Sequence, residues 1–200
     1  MRAVLSNISL ALVTLTLIVT NGCASNDAVT DQEGSILALA LQRSYQDGGF
    51  AVVSPDTDVS ELGDGNSNKI DHCKNFVLKE LRTTNVDVVA LVDKFFERNK
   101  KAIHLSLKSS PQDGYIIDSD GKFETYFRKN GGGWEKWRTE NPKARNSTRV
   151  SLPVYDAKSG FVLLYMSIVA DSLMGSGQVV LYKLEKGELK FLKRVQLWVS

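Results

Sequence analysis

Apolar residues in this chain recur with a helical period up to about residue 99 and with a strand period beyond it. In the segment 86–99, Val88, Leu91, Val92, Phe95 and Phe96 fall three and four apart, the stripe of a helix that packs on a core. Asn85 is a suitable N-cap. Asp87 lies in the first turn and Arg98, Lys100 and Lys101 gather at the end, as the helix dipole favours. The segment 35–45 alternates strictly, but its Ala and Leu content favours a helix. Residues 50–54 read as a short strand. The stretch 55–68, rich in Asp, Ser, Gly and Asn, reads as a loop.

Beyond the helix, 115–117 and 123–127 flank Asp118-Ser119-Asp120-Gly121, which has the composition of a hairpin turn. Gly131 to Gly133 and the segment from Trp134 to Trp137 interrupt the strands. Four more follow, over 149–155, 161–170, 178–184 and 189–199. The segment 161–170 is apolar almost throughout and should lie at the centre of the sheet with both faces covered. In the last strand Leu189, Phe191, Val195, Leu197 and Val199 point one way, against Lys190, Arg194 and Gln196. Helices first and strands afterwards predict an α+β domain over 35–200, with N-terminal helices packed on an antiparallel meander.

The N-terminus follows a different rule. Arg2 is followed by an apolar run from Ile8 to Val19, and no further charge occurs before Asp27. The run is shorter than the roughly 20 residues a spanning helix needs, and it has the layout of a signal peptide over 1–22. Gly22-Cys23, at the end of that segment, resembles the lipobox of bacterial lipoproteins, in which a small residue precedes a Cys that is acylated and becomes residue one. The resemblance implies lipidation at Cys23. Ala24, in place of Asp, implies retention at the outer membrane, facing the periplasm. Ordinary cleavage after Ala24, giving a secreted or soluble periplasmic protein, is the alternative. Residues 23–34 are polar and aperiodic and are expected to form a tether.

Composition narrows the function classes. With 42% hydrophobic residues in 200, the chain can bury a sizeable core. Its formal net charge is +2, so no basic field favours nucleic acid. Either cleavage leaves Cys73 without a disulfide partner. In Asp71-His72-Cys73, neighbouring side chains of an extended segment point apart, and two His with one Cys lack zinc spacing. No catalytic or metal site is therefore assigned. Asp64 to Asn68 resembles a calcium loop only in its first positions, since Lys69 replaces the required Gly. Gly131-Gly132-Gly133 lacks the Gly-Lys-Ser/Thr of a phosphate loop, so no nucleotide or other cofactor is expected. Gly175-Ser176-Gly177 reads as a turn.

The aromatics are the best surface candidates. Trp134 and Trp137, three apart, share a helical face. With Tyr126, Phe127 and His104 they could line a ligand cleft or a protein contact, or they could simply anchor a short helix to the sheet. From Trp134 onward, the order Trp134, Trp137, Pro142, Ser151, Gly175, Gly177 and Trp198-Val199-Ser200 resembles a C-terminal module of uncharacterised bacterial exported proteins. Phe95-Phe96 with Asn99 resembles the aromatic–Asn helix end of the same family. The resemblance implies a fold and no activity. Two functions are consistent with these readings. One is an envelope lipoprotein that binds another protein, of immunity or assembly type. The other is a small-molecule-binding or hydrolytic domain with a cleft between the helix 86–99 and the sheet.

Overall fold

Thr30 starts the first helix. Its hydroxyl accepts from the Glu33 backbone N–H while the Glu33 carboxylate accepts from Thr30 N–H, a reciprocal cap that fixes where the helix begins. In the computed structural model, which describes residues 28–42, 47–63, 65–82 and 88–200, helix α1 spans Asp31–Leu41. Residues 31–34, expected as the end of a tether, are therefore helical. Cys23 and Asn85 lie outside the described residues.

Helix α2 (Ser67–Leu81) is capped by Asn66, whose side chain accepts from Lys69 N–H. It occupies the end of the expected loop and absorbs Asp71, His72 and Cys73, which are helical and not extended. Helix α3 (Val89–Arg98) buries Leu91, Val92, Phe95 and Phe96, as its spacing predicts. Helix α4 (Gly133–Glu140) carries both candidate tryptophans.

Seven strands form one mixed sheet among the described residues: β1 (Phe50–Val53), β2 (Tyr115–Ile117), β3 (Ala144–Val150), β4 (Val154–Asp156), β5 (Phe161–Asp171), β6 (Met174–Glu185) and β7 (Glu188–Val199). Their order is β2-β1-β3-β5-β6-β7, with β4 paired to β5. The C-terminal part is the expected antiparallel run. However, β1 lies parallel to both β2 and β3, a pairing that no local pattern signals. The expected hairpin at 118–121 does not form. Instead β2 pairs with β1, and the segment expected as its partner strand is a 3-10 turn, Glu124–Phe127. Asp118 is the reason: its two carboxylate oxygens accept from Phe123 and Glu124 N–H, turning the chain inward.

Strand β5 is central and covered on both faces. Leu163 and Tyr165 face α2 and α3, while Leu164 and Met166 face α1. The domain is thus an α+β fold whose sheet separates two apolar layers. In β7 only Val195 is fully buried, and Phe191 and Val199 are exposed, contrary to the expected uniform inner face. A bulge at Leu181/Tyr182 shifts the pairing between these positions.

Three polar anchors hold the layers in register. Buried Asn99 donates to the carbonyls of Phe95 and Leu152 and accepts from Leu152 N–H, pinning the end of α3 to the chain beyond β3. Ser151 accepts from Tyr165 N–H through its hydroxyl, bridging the break before Pro153, which has no N–H to give the ladder. Finally, Arg98 grips Glu33 through two hydrogen bonds of 2.7 and 3.0 Å and donates to Ala28 O, clasping α1 to α3.

Candidate functional site

Among the described residues, a cleft opens where α4 and the 3-10 turn lean over β1, β3 and β5. Gly131 makes this possible. A Cβ there would lie 2.2 Å from Thr125 O and 2.4 Å from Tyr126 O, so only glycine lets the backbone double back into α4. The doubling stacks the aromatics of the turn on those of the helix.

Trp137 is the hub of that stack. It is 1% exposed and meets Phe123, Phe127, Trp134 and Tyr126 at ring separations of 5.0, 5.4, 5.3 and 6.0 Å. Its indole N–H donates to Ala144 O at 3.1 Å. Tyr126 is also buried, and its hydroxyl donates to Glu140 at 2.7 Å, an interaction that raises the phenol pKa. These two residues are anchors. Trp134 and Phe127 are different: their rings sit 4.6 Å apart, Trp134 is half-buried, and Phe127 is 44% exposed.

The cleft they border has a volume of about 620 Å³. Ser147 and Arg149 of β3 and Ser167 and Val169 of β5 form its floor, and Asp56, Asp118, Glu124 and Arg128 stand around it. Ser147 pairs with Val169 and Arg149 with Ser167 across the ladder, so alternate positions of two strands present one surface. Burial holds the Asp118 carboxyl above the usual range, against the two backbone N–H groups it accepts from. Glu124 pairs with Arg128 at 3.2 Å. Arg149 makes no ion pair with the described residues.

Of the five candidates from the sequence, Trp134, Trp137 and Phe127 border the cleft, whereas Tyr126 lies behind it and His104 outside it. His104 is exposed and pairs with Asp56 at 3.0 Å on the rim. The cleft is roofed by α4 and not, as expected, by α3. The depression beside α3 is a separate groove lined mainly by charged side chains such as Lys74, Asp93, Glu97 and Lys101. Arg149, Ser147, Ser167 and Asp118 were missed by sequence reasoning. For Ser147 and Arg149 the local signal is the run of polar residues at Asn146, Ser147, Thr148 and Arg149, unusual for a strand so near the centre of a sheet.

Cys73 is half-buried in α2, and burial, helped by Glu61, pushes its thiol up to about 11. It is therefore a protonated thiol at neutral pH and a poor nucleophile. No group of three or more His, Cys, Asp or Glu could hold a metal ion among the described residues. Gly175 and Gly177 belong to β6 and not to a turn. Their missing side chains make room for Trp198, whose indole N–H donates to Tyr165 Oη at 3.0 Å. No helix among the described residues is long and apolar enough to cross a membrane.

Comparison with known proteins gives no match to a protein-family model, to a curated protein or to a solved structure.

Proposed function

We propose that this chain is a lipid-anchored protein of the bacterial cell envelope, held at the outer membrane through Cys23, whose domain binds a small organic ligand in the cleft beneath α4. One observation carries the binding reading: Trp134 and Phe127 keep exposed ring surface beside a polar floor instead of closing onto the core. Aromatic rims over a few convergent polar groups are the usual make-up of a ligand site. Cys73, the thiol among the described residues, does not border the cleft.

Two experiments test the parts separately. Metabolic labelling with palmitate in the producing bacterium should mark the wild type and not Cys23→Ser. An unlabelled wild type with Ser25 as its mature N-terminus would mean simple secretion. For the cleft, saturation-transfer NMR with a set of small planar fragments should detect binding to the wild type and not to Trp134→Ala. Equal signals from both proteins would move the site elsewhere.

A second reading, a protein-binding role of immunity or assembly type, draws on another surface. At the β5–β6 hairpin tip Leu173 and Met174 are 81% and 63% exposed, and Val199 beside them is 72% exposed. Exposed apolar residues grouped at one end of a sheet suit a protein contact. Repeated co-purification from detergent-solubilised membranes without a specific partner would count against it.

A further inference from the structure

We infer that the cleft beneath α4 selects an organic anion with one flat apolar face, its carboxylate held by Arg149 and its ring by Trp134 and Phe127. The inference rests on the ligand-binding reading above and names the class of ligand. The charges of the cleft are mostly answered from within the protein. Glu124 is matched by Arg128, and the Asp56 carboxylate is hydrogen-bonded to His104 Nδ1. Asp118 gives both oxygens to backbone N–H groups. Arg149 is the charge left over: it reaches the cleft from the floor, flanked across the ladder by Ser167.

A guanidinium offers a planar fork of donors that matches a carboxylate bidentately. The Ser147 hydroxyl of the floor can donate to a remaining oxygen lone pair, whereas Ser167 is buried and bonded to Tyr165. The half-buried Trp134 ring and the exposed Phe127 ring offer ring surface at which a flat apolar group can stack. A neutral flat molecule would satisfy the rings and leave Arg149 solvated. A compact anion would satisfy Arg149 and leave the rings wet. Only a ligand with both parts uses the whole cleft.

Isothermal titration of the purified full chain with 2-naphthoate and with its neutral relative 2-naphthalenemethanol separates these contributions. The acid should bind about ten-fold more tightly than the alcohol at low salt, the scale of one charge-assisted hydrogen-bonding group. Arg149→Gln should bind both compounds equally, at the affinity of the alcohol. Trp134→Ala should weaken both. Arg194→Gln, on the exposed last strand, should retain the wild-type preference. If the wild type binds the alcohol as well as the acid, or Arg149→Gln keeps the preference, the assignment of Arg149 is wrong while the cleft remains a binding site. If neither compound binds, the cleft reading and this inference fall together.

Discussion

Trp198 lies against two glycines, and what each tolerates follows from distance. A Cβ on Gly177 would fall 2.1 Å from the Trp198 indole nitrogen and 2.6 Å from Tyr165 Oη, whereas one on Gly175 would meet only ring carbon and Ser200 Oγ at 3.0–3.1 Å. Gly177→Ala must therefore expel the indole and break its bond to Tyr165, a loss of about 1–3 kcal/mol by the cost of overpacking. Gly175→Ala should cost less. Urea unfolding of the two variants checks the order, and equal midpoints would refute it. The tryptophans of α4 divide in the same way. Trp137→Ala should cost about 3–5 kcal/mol, as large-to-small changes in a core do. Trp134→Ala should be much milder, since its ring is only partly buried. Their three-residue spacing showed in the sequence that both share a face, but not which one lies deeper. That depends on the 3-10 turn packed behind Trp137, which arises from Asp118 and was hidden because the same residues also spell a hairpin turn.

At the scale of elements, the clasp between α1 and α3 is the contact most open to test. The Glu33 and Arg98 side chains are 13% and 15% exposed. Burial alone would raise the Glu33 pKa, but the bonds from Arg98 and Thr30 outweigh it and hold the carboxyl below its ordinary value of 4.5. A lowered folded pKa means that the stabilisation is present above the unfolded value and is lost as pH falls through the folded one. Glu33→Gln should thus be less stable than wild type at pH 7, by about 2 kcal/mol for a charge-assisted pair. The two should converge as the pH drops below 4.5 and the wild-type carboxyl protonates. Melting curves across that range decide it, and a gap independent of pH would assign the effect to packing. The clasp was invisible in the sequence because its partners are 65 residues apart. Elements with a local signature were legible: α3 by its apolar stripe, and β5, β6 and β7 by long apolar or alternating runs. Helix α2 was not. Its buried positions Val77, Leu78 and Leu81 crowd into the second half, leaving a polar first half that reads as a continuation of the loop. The cleft was legible only in its aromatic wall, because its floor is assembled from two strands and recorded in neither alone.

For the molecule as a whole, the sheet ranks its strands by cover. β5 has partners on both edges and apolar layers on both faces, so its amides should exchange slowest, at the rate set by global unfolding. Those of β2, three residues at an edge, should exchange far sooner. Hydrogen exchange followed by mass spectrometry checks the ranking, and faster exchange in β5 than in β2 would contradict it. The parallel seating of β1 also sets an order in time. Val53 is paired on one side with Ile117 and on the other with Thr148, so both neighbours of β1 are made after it. Closing such distant contacts is slow compared with zipping the β5–β6–β7 meander. A chain emerging from its N-terminus would therefore carry Phe-Ala-Val-Val with two bare edges until residue 117 arrives, and with one bare until residue 148 does. That interval is when the segment is most open to mispairing and to capture by a chaperone. Pulse-labelled refolding should find β5 to β7 protected before β1: the first strand to be synthesised is the last to find its place.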